Sequence, residues 1–244
     1  MNNPFQIQRE LRYGAPVCDE ILTGRFYTIG YSWYFRQPKW VLEIINSNAH
    51  IVPILEKIER INNFRADIRI PRRFRAGLEA YKGSGYDRGH LVSSANQINE
   101  AIQNSETFLL SNMSPQKPEL NRQLWRILEE KVRELDKRED ILETYVLTAP
   151  VFYFNIAIDT IGNEDDLGIT VPVPHAFIKS VLAEDIKGRL SLWTFLLRNE
   201  ELTGSIEDYL INTYDAEQLV GGRFWDRISG SDIHDQKKNI TPIW

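Results

Sequence analysis

Apolar segments of strand length lie on both sides of one clearly helical stretch in this chain. The helical stretch begins at Pro118 and repeats leucine or valine at three- and four-residue spacing as far as Leu135. The strand-like segments are Arg25–Tyr34, Trp40–Ile45, Phe108–Met113, Tyr145–Thr148, Val151–Ile158, Gly168–Val173, Ala176–Leu182 and Ser191–Leu197. Because strands and helices do not alternate one by one, the pattern predicts an α+β fold with a central mixed or antiparallel sheet and flanking helices.

No linker or internal repeat divides the chain, so we expect a single domain over residues 1–244. Residues 60–86 contain Pro71 and three glycines and are expected to be mostly loop. Near the end of the chain, Asp215–Val220 is predicted to form a short helix. Asp215 is its expected N-terminal cap, and Gly221 its expected end.

The composition excludes several classes of site. Cys18 is the one cysteine, so the chain can form neither an intrachain disulfide nor a thiolate-rich zinc site. No run of 18 uncharged apolar residues is present, and the first eleven residues lack the apolar core of a secretory signal. We therefore expect a cytoplasmic protein with no membrane partner.

Charge is distributed unevenly along the sequence. The net charge is −5, but the stretch from Arg60 to His90 carries eight basic against three acidic residues, which gives +5 there and −10 elsewhere. A basic stretch on an acidic protein is typical of a local groove for nucleic-acid phosphates. An arginine-rich solvated loop is the alternative.

His90 and Asn121 are the candidates for chemistry on a phosphodiester. Hydrolysis requires a base that takes a proton from water, and positive charge that stabilises the phosphoryl group. An ordinary histidine pKa of about 6.5 suits His90 to be the base at neutral pH. Mg²⁺ needs few protein ligands because it keeps most of its waters, so one amide oxygen from Asn121 is a plausible protein contribution.

The helical spacing places Asn121, Trp125 and Glu129 on one side of the predicted helix. At ~1.5 Å per residue, Glu129 is about 12 Å along the axis from Asn121. We therefore expect Glu129 to act through water and not as a direct metal ligand.

The segment Tyr86–Leu91 resembles the DRGH signature of the DNA/RNA non-specific endonucleases, a group that includes endonuclease G and the sugar-non-specific bacterial nucleases. The similarity covers roughly residues 12–230. Its further segments are Arg12–Pro16, Pro38–Glu43, Thr107-Phe108, Ser111–Gln116, Leu120-Asn121, Trp125, Glu129, Pro174–Lys179 and Glu217–Gly221.

The resemblance implies a ββα-metal (His-Me) finger with His90 as general base and Asn121 as the ligand of Mg²⁺, for which Mn²⁺ or another divalent cation can substitute. DNA and RNA would be the substrates, cut to leave 5′-phosphate ends. The side chains that would orient waters around the metal or contact phosphate are Asp87, Arg88, Asn112, Gln116 and Glu129. An upstream arginine would stabilise the transition state, and Arg60 fits by spacing, with Arg65 as the alternative. Arg72 and Arg73 are expected to contact backbone phosphates.

One departure from the family pattern is Ser93-Ser94, which replaces a proline-containing pair and is expected to affect the loop and not the chemistry. Every position matched to a catalytic role is intact. This favours an active nuclease over the alternative, an inactive nucleic-acid-binding or regulatory homologue. Because such a nuclease endangers its host cell, we also expect a protein inhibitor or an activating partner. The sequence leaves monomer and homodimer open.

Overall fold

The computed structural model describes residues 8–45, 58–162 and 168–244. Its centre is a seven-stranded sheet in the order β1-β2-β3-β6-β9-β10-β11, and all neighbouring strands are antiparallel. These strands are β1 (Glu20–Thr23), β2 (Tyr27–Ser32), β3 (Gln37–Ile44), β6 (Ile141–Val151), β9 (Ala176–Asp185), β10 (Leu190–Arg198) and β11 (Leu210–Ile211). Two small sheets pair β4 (Asp87–His90) with β5 (Met113–Gln116), and β7 (Thr160–Ile161) with β8 (Val171–Pro172).

The α-helices of the described residues are mostly short. They are α1 (Leu78–Tyr81), α2 (Ala101–Glu106), α3 (Pro118–Arg122), α4 (Leu124–Asp136), α5 (Thr213–Val220) and α6 (Ser231–Lys238). Short 3₁₀ turns occur at Arg9–Leu11, Arg72–Phe74, Ser94–Asn96, Leu110–Asn112 and Ile206–Tyr209. Across these three ranges, no helix is long and apolar enough to cross a bilayer.

The two faces of the large sheet bury separate sets of apolar side chains. Helix α4 packs on one face, where Trp125 and Leu128 join a cluster that contains Phe177 and Val181 of β9. The alternate residues of β9 point to the other face, where Ile178 belongs to the cluster that includes residues of α5 and α6. Each fully buried leucine or valine contributes about 1.5–3 kcal/mol relative to an exposed one, so this two-sided burial stabilises the fold that carries the site.

The structure confirms the α+β class and corrects several element boundaries. Tyr145–Thr148 belongs to a single long strand, β6, which runs through Pro150 and ends at Val151, so Val151–Ile158 is not a separate strand. Most of Phe108–Met113 is a buried turn with one isolated β-bridge, between Leu109 and Arg65, and strand β5 begins only at Met113. Of Gly168–Val173, two residues form a strand. Phe108–Met113 is apolar because it is largely buried and not because it is extended, whereas Val151–Ile158 leaves Phe154 and Ile156 exposed.

The helix predicted from Pro118 is interrupted, so the prediction of one continuous helix was wrong. Gln123 has φ −115° and ψ −100°, outside the helical region, and separates α3 from α4. Asn121 and Glu129 therefore lie on different helices, and the axial spacing of one helix does not describe their separation. At the C-terminal end, Asn212 and not Asp215 caps α5, since the Asn212 side chain accepts a hydrogen bond from the Asp215 backbone. Gly221, with φ 63°, ends α5 as predicted.

Candidate active site

The core of the site is a ββα unit made from β4, β5 and α3. The two strands are antiparallel, with Asp87 opposite Gln116 and His90 opposite Met113. Only Lys117 separates β5 from α3, whose first residue, Pro118, suits the start of a helix. Because Gln116 at the end of β5 pairs with Asp87, α3 begins beside the start of β4, and Asn121 contacts Asp87.

A close approach between β4 and β5 requires glycine at position 89. A Cβ on Gly89 would be 2.4 Å from Oε1 and 2.7 Å from Cβ of Gln116. The missing side chain of Gly89 thus makes room for Gln116, and not for a ligand beside the backbone. Gln116 is fully buried, and its amide has no hydrogen-bond partner within the described ranges.

The His90 ring is held between aromatic rings at the wall of a cleft. The centroids of Phe64 and Phe108 are 5.5 and 4.9 Å from that of His90, both edge-on. Burial, together with the positive charge of Arg60, lowers the pKa of His90 to about 3. The imidazole is therefore neutral at pH 7, in the form that can accept a proton.

Its two nitrogens have different surroundings. The Arg88 backbone makes a hydrogen bond with the imidazole. Nε2 is buried without a hydrogen-bond partner among the described residues, so the bond to the backbone uses Nδ1. This bond fixes the ring and its tautomer and leaves Nε2 as an acceptor.

The Asn121 amide is oriented by Asp87. Its Nδ2 donates to Asp87 Oδ2 at 2.9 Å, which leaves the amide oxygen free of this contact. Arg122 donates to both oxygens of the same carboxylate, at 2.9 and 2.7 Å. Partial burial would raise the pKa of Asp87, but the hydrogen bonds from Arg122 and Asn121 hold it below its usual value. Asp87 thus stays charged and keeps the amide in one orientation.

A cleft of about 420 Å³ brings the chemical groups together. Its lining residues are Arg60, Phe64, Asp87, Arg88, His90, Ser93, Ser94, Asn121, Arg122, Arg126 and Glu129. The structure therefore collects six of the predicted site residues in one place. Arg60, the favoured arginine, is in the cleft, where it donates to Ser94 and lies over the Phe108 ring.

Five predicted residues lie outside the cleft lining. The side chain of Arg65 donates to backbone carbonyls of Asn63 and Ser105, and that of Asn112 bonds the backbone of Val92 and Thr107. Gln116 is buried under Gly89, as described above. Arg72 lines a different cavity, and the Arg73 guanidinium lies over Phe74. In this arrangement Asn112 and Arg65 hold the loops around the site, and Arg72 and Arg73 face elsewhere.

Several cleft residues were missed from the sequence. Arg126 follows Arg122 by four residues, a spacing that could have been noticed in the sequence once Asn121 was placed at a predicted helix start, although the structure puts Arg122 on α3 and Arg126 on α4. Ser93 and Ser94 were expected to affect the loop alone. Instead, the Ser93 hydroxyl donates to Glu129 at 3.0 Å, and that of Ser94 accepts from Arg60 at 3.4 Å. No local sequence signal indicates these long-range contacts.

A family match agrees with this geometry. The description "DNA/RNA non-specific endonuclease" applies to the family that matches residues 9–231. This chain belongs to that family. The nuclease is 32% identical over 242 residues to a nuclease of Syncephalastrum racemosum, covering 93% of this chain and 73% of that one. It is 37% identical over 211 residues to a nuclease of Nostoc sp., covering 83% and 72%.

A solved structure shows the same fold. The nuclease superposes on a chain of the crystal structure of the EndoG/EndoGI complex with a TM-score of 0.83 at 28% identity, covering 94% of this chain and 95% of that one. The family resemblance found in the sequence, the α+β fold and the assignment as a nuclease are confirmed.

Proposed function

We propose that this nuclease is a Mg²⁺-dependent endonuclease that hydrolyses both DNA and RNA and leaves 5′-phosphate ends. One observation carries the proposal. An imidazole with an unpartnered Nε2 and an amide oriented by a carboxylate line the same cleft. This cleft also contains four arginines, Arg60, Arg88, Arg122 and Arg126, which suit a polyanion and carry no information on base identity.

The donor set of the cleft fits Mg²⁺ better than a softer metal. No cluster of three or more histidine, cysteine, aspartate or glutamate side chains that could hold a metal occurs in the part of the chain described here. Mg²⁺ accepts oxygen ligands and retains several waters, so the Asn121 amide oxygen with water and phosphate completes a reasonable shell. When bound, the ion would supply positive charge that stabilises the phosphoryl group.

The residues of the chain supply the remaining steps. His90 Nε2 takes the proton of the attacking water, and the hydrogen bond between Nδ1 and the Arg88 backbone keeps the ring in place. Arg60 and Arg88 border the same space and stabilise the charge that develops on the phosphate. Asp87 holds Asn121, and Ser93 holds Glu129.

A comparison of histidine variants tests the proposal. His90→Ala should lower kcat on plasmid DNA and on RNA by about 10²–10⁴-fold, because a general base is lost. Binding of a labelled oligonucleotide in chelator should persist. His234→Ala is the matched control, since His234 is exposed and pairs with Tyr214 outside the cleft. Wild-type turnover in His90→Ala would contradict the mechanism.

The metal assignment has a separate test. Asn121→Ala should raise the Mg²⁺ concentration needed for half-maximal activity by at least tenfold or remove the activity. An unchanged Mg²⁺ titration would contradict the role of Asn121 and leave that of His90 standing.

Restraint by a protein partner stays a prediction for this chain. The EndoG chain of the similar solved structure is in complex with EndoGI. If an inhibitor exists for this nuclease, protein isolated gently from its natural source should be less active than recombinant protein, and mild dissociation of the complex should remove this difference in activity.

A further inference from the structure

A lysine is buried in the sheet directly beneath helix α4. Lys179 of β9 is 2% exposed and lies on the face that packs against α4, in the same alternation as Phe177 and Val181. Its Nζ donates to Thr148 Oγ1 at 2.9 Å and lies 4.4 Å from the centroid of the Trp125 ring. A lysine in the middle of an apolar face is costly unless its charge is compensated.

Two carboxylates compensate Lys179. Burial lowers the pKa of Lys179, and the charges of Glu129 and Glu43 oppose that effect, while Arg133 adds to it. Glu43 on β3 is 1% exposed and is also held by hydrogen bonds from Asn96 and Gln97. Glu43 therefore has partners of its own within the buried layer.

Glu129 is the carboxylate that connects this layer to the cleft. It follows Trp125 by four residues, so the two side chains share one side of α4. Lys179 lies over Trp125, and Glu129 lines the cleft with His90 and Asn121. Among the described residues, the Ser93 hydroxyl is the one group seen to donate a hydrogen bond to the Glu129 carboxylate. A single neutral donor is a weak restraint on a flexible carboxylate that borders solvent.

We infer that Lys179 is a positioning residue for the active site: its buried ammonium holds the Glu129 carboxylate in place at the floor of the cleft. The inference rests on the proposed function, since it assigns a purpose to Glu129 within that site. Without the ammonium, the Glu129 carboxylate loses its buried counter-charge, keeps the Ser93 hydroxyl as its donor, and turns towards solvent, away from the position it holds in the cleft.

A first set of variants separates this role from simple stability. At pH 8, Lys179→Met should lower Tm by roughly 10 °C without added metal, because Glu43 loses its compensating charge. The double variant Lys179→Met/Glu43→Gln should regain most of that loss. Its kcat should nevertheless stay about tenfold below that of Glu43→Gln alone, and Mg²⁺ should raise its Tm by less than it raises that of the wild type.

A double-mutant cycle tests whether Lys179 acts through Glu129. Glu129→Gln should lower kcat by about 10–100-fold with little change in KM. Adding Lys179→Met to Glu129→Gln should then lower kcat no further, since the group being positioned is already gone. Lys237→Met is the matched control. Lys237 is also buried and is paired with Glu217 on α5, which packs on the opposite face of the sheet. Lys237→Met should therefore lower Tm and leave kcat unchanged.

Two results would overturn the inference. One is recovery of both Tm and kcat in Lys179→Met/Glu43→Gln, which would make Lys179 a structural residue. The other is additive loss of kcat from Lys179→Met and Glu129→Gln. The proposed function fails differently, through an inactive wild type or an active His90→Ala protein.

Discussion

At the scale of single residues, the site depends on neighbours that fix the state of each reactive group. The Asn121 amide could present either of its ends to the cleft, and the bond from its Nδ2 to Asp87 selects the oxygen. Burial beside Phe64 and Phe108 keeps His90 neutral. A carboxylate and two aromatic rings thus fix the states of the proposed base and the proposed ligand before substrate arrives.

Two single substitutions test whether Arg60 or Arg65 is the arginine that we propose stabilises the transition state. Arg60 lines the cleft, whereas Arg65 donates to the Asn63 and Ser105 carbonyls. Arg60→Ala should lower kcat by about 10²–10³-fold with little change in Tm. Arg65→Ala should lower Tm and have the smaller effect on kcat. Steady-state kinetics and melting curves of the two proteins check this, and the reverse order of kcat effects would favour Arg65.

Glu43 gives the protein a pH-dependent stability with a definite sign. Burial raises the pKa of Glu43 from 4.5 to about 7, with Lys179 opposing the shift. Between these values the unfolded chain has lost a proton that the folded chain retains, so the free energy of unfolding falls as pH rises from 4.5 to 7 and then levels off. Replacing Glu43 by glutamine removes this pH dependence of the free energy of unfolding.

The corresponding measurement is denaturant unfolding of the wild type and Glu43→Gln at pH 5 and pH 8. From pH 5 to pH 8, we expect the free energy of unfolding of Glu43→Gln to rise by about 2–3 kcal/mol relative to that of the wild type. An equal difference at both pH values would mean that Glu43 ionises normally in the folded protein.

At the scale of elements, the finger needs two strands packed unusually closely and a helix that ends early. Gly89 allows Gln116 to lie across β4, and the non-helical backbone at Gln123 lets α4 leave in a new direction. Because α3 stops there, Asn121 can face Asp87 while Trp125 of α4 packs on Phe177 in the sheet.

Gly89→Ala tests the close approach. The added Cβ would meet the buried Gln116 side chain, so we expect a loss of about 1–3 kcal/mol in the free energy of unfolding and a fall in turnover as His90 shifts with its strand. Gly77→Ala is the control, because its Cβ would meet only the mobile end of Glu79. Equal stability of the two variants in urea would show that β4 and β5 tolerate a wider spacing.

At the scale of the whole molecule, a protein with net charge −5 must attract a polyanion through a local surface. Of the basic stretch from Arg60 to His90, the structure places Arg60 and Arg88 in the cleft, and α3 and α4 add Arg122 and Arg126. The substrate surface is thus assembled from separate parts of the chain, and the basic stretch from Arg60 to His90 supplies only part of it.

Arg126→Ala and Arg72→Ala remove the same charge from two different places. Arg126 lines the cleft, and Arg72 lines another cavity. Arg126→Ala should raise KM several-fold and reduce the slope of log Kd against log salt concentration by about one, which corresponds to one counterion fewer released on binding. Arg72→Ala should change KM and this slope less. Binding of a labelled oligonucleotide over a range of salt concentrations measures this. Equal slopes for the two variants would show that the charge acts through the whole surface and not through the cleft.

Local signals predicted part of this molecule and missed what depends on distant contacts. Strand composition identified β2, β3, β9 and β10, and the DRGH motif led to His90 and Asn121, because these features are set by neighbours in sequence. The contacts of Ser93 with Glu129 and of Lys179 with Trp125 join residues that are far apart in the chain. The break at Gln123 was equally invisible, since glutamine favours helix and the local sequence carries no helix-breaking residue there.

The most direct test of the account is digestion of double-stranded DNA, single-stranded DNA and RNA side by side, with Mg²⁺ and with chelator, using the wild type and His90→Ala. We predict that the wild type cuts all three in Mg²⁺, leaves 5′-phosphates and stops in chelator, and that His90→Ala loses activity on all three together. Cleavage that persists in chelator, or loss of activity on only one polymer in His90→Ala, would contradict the claim that one imidazole–amide cleft serves both nucleic acids.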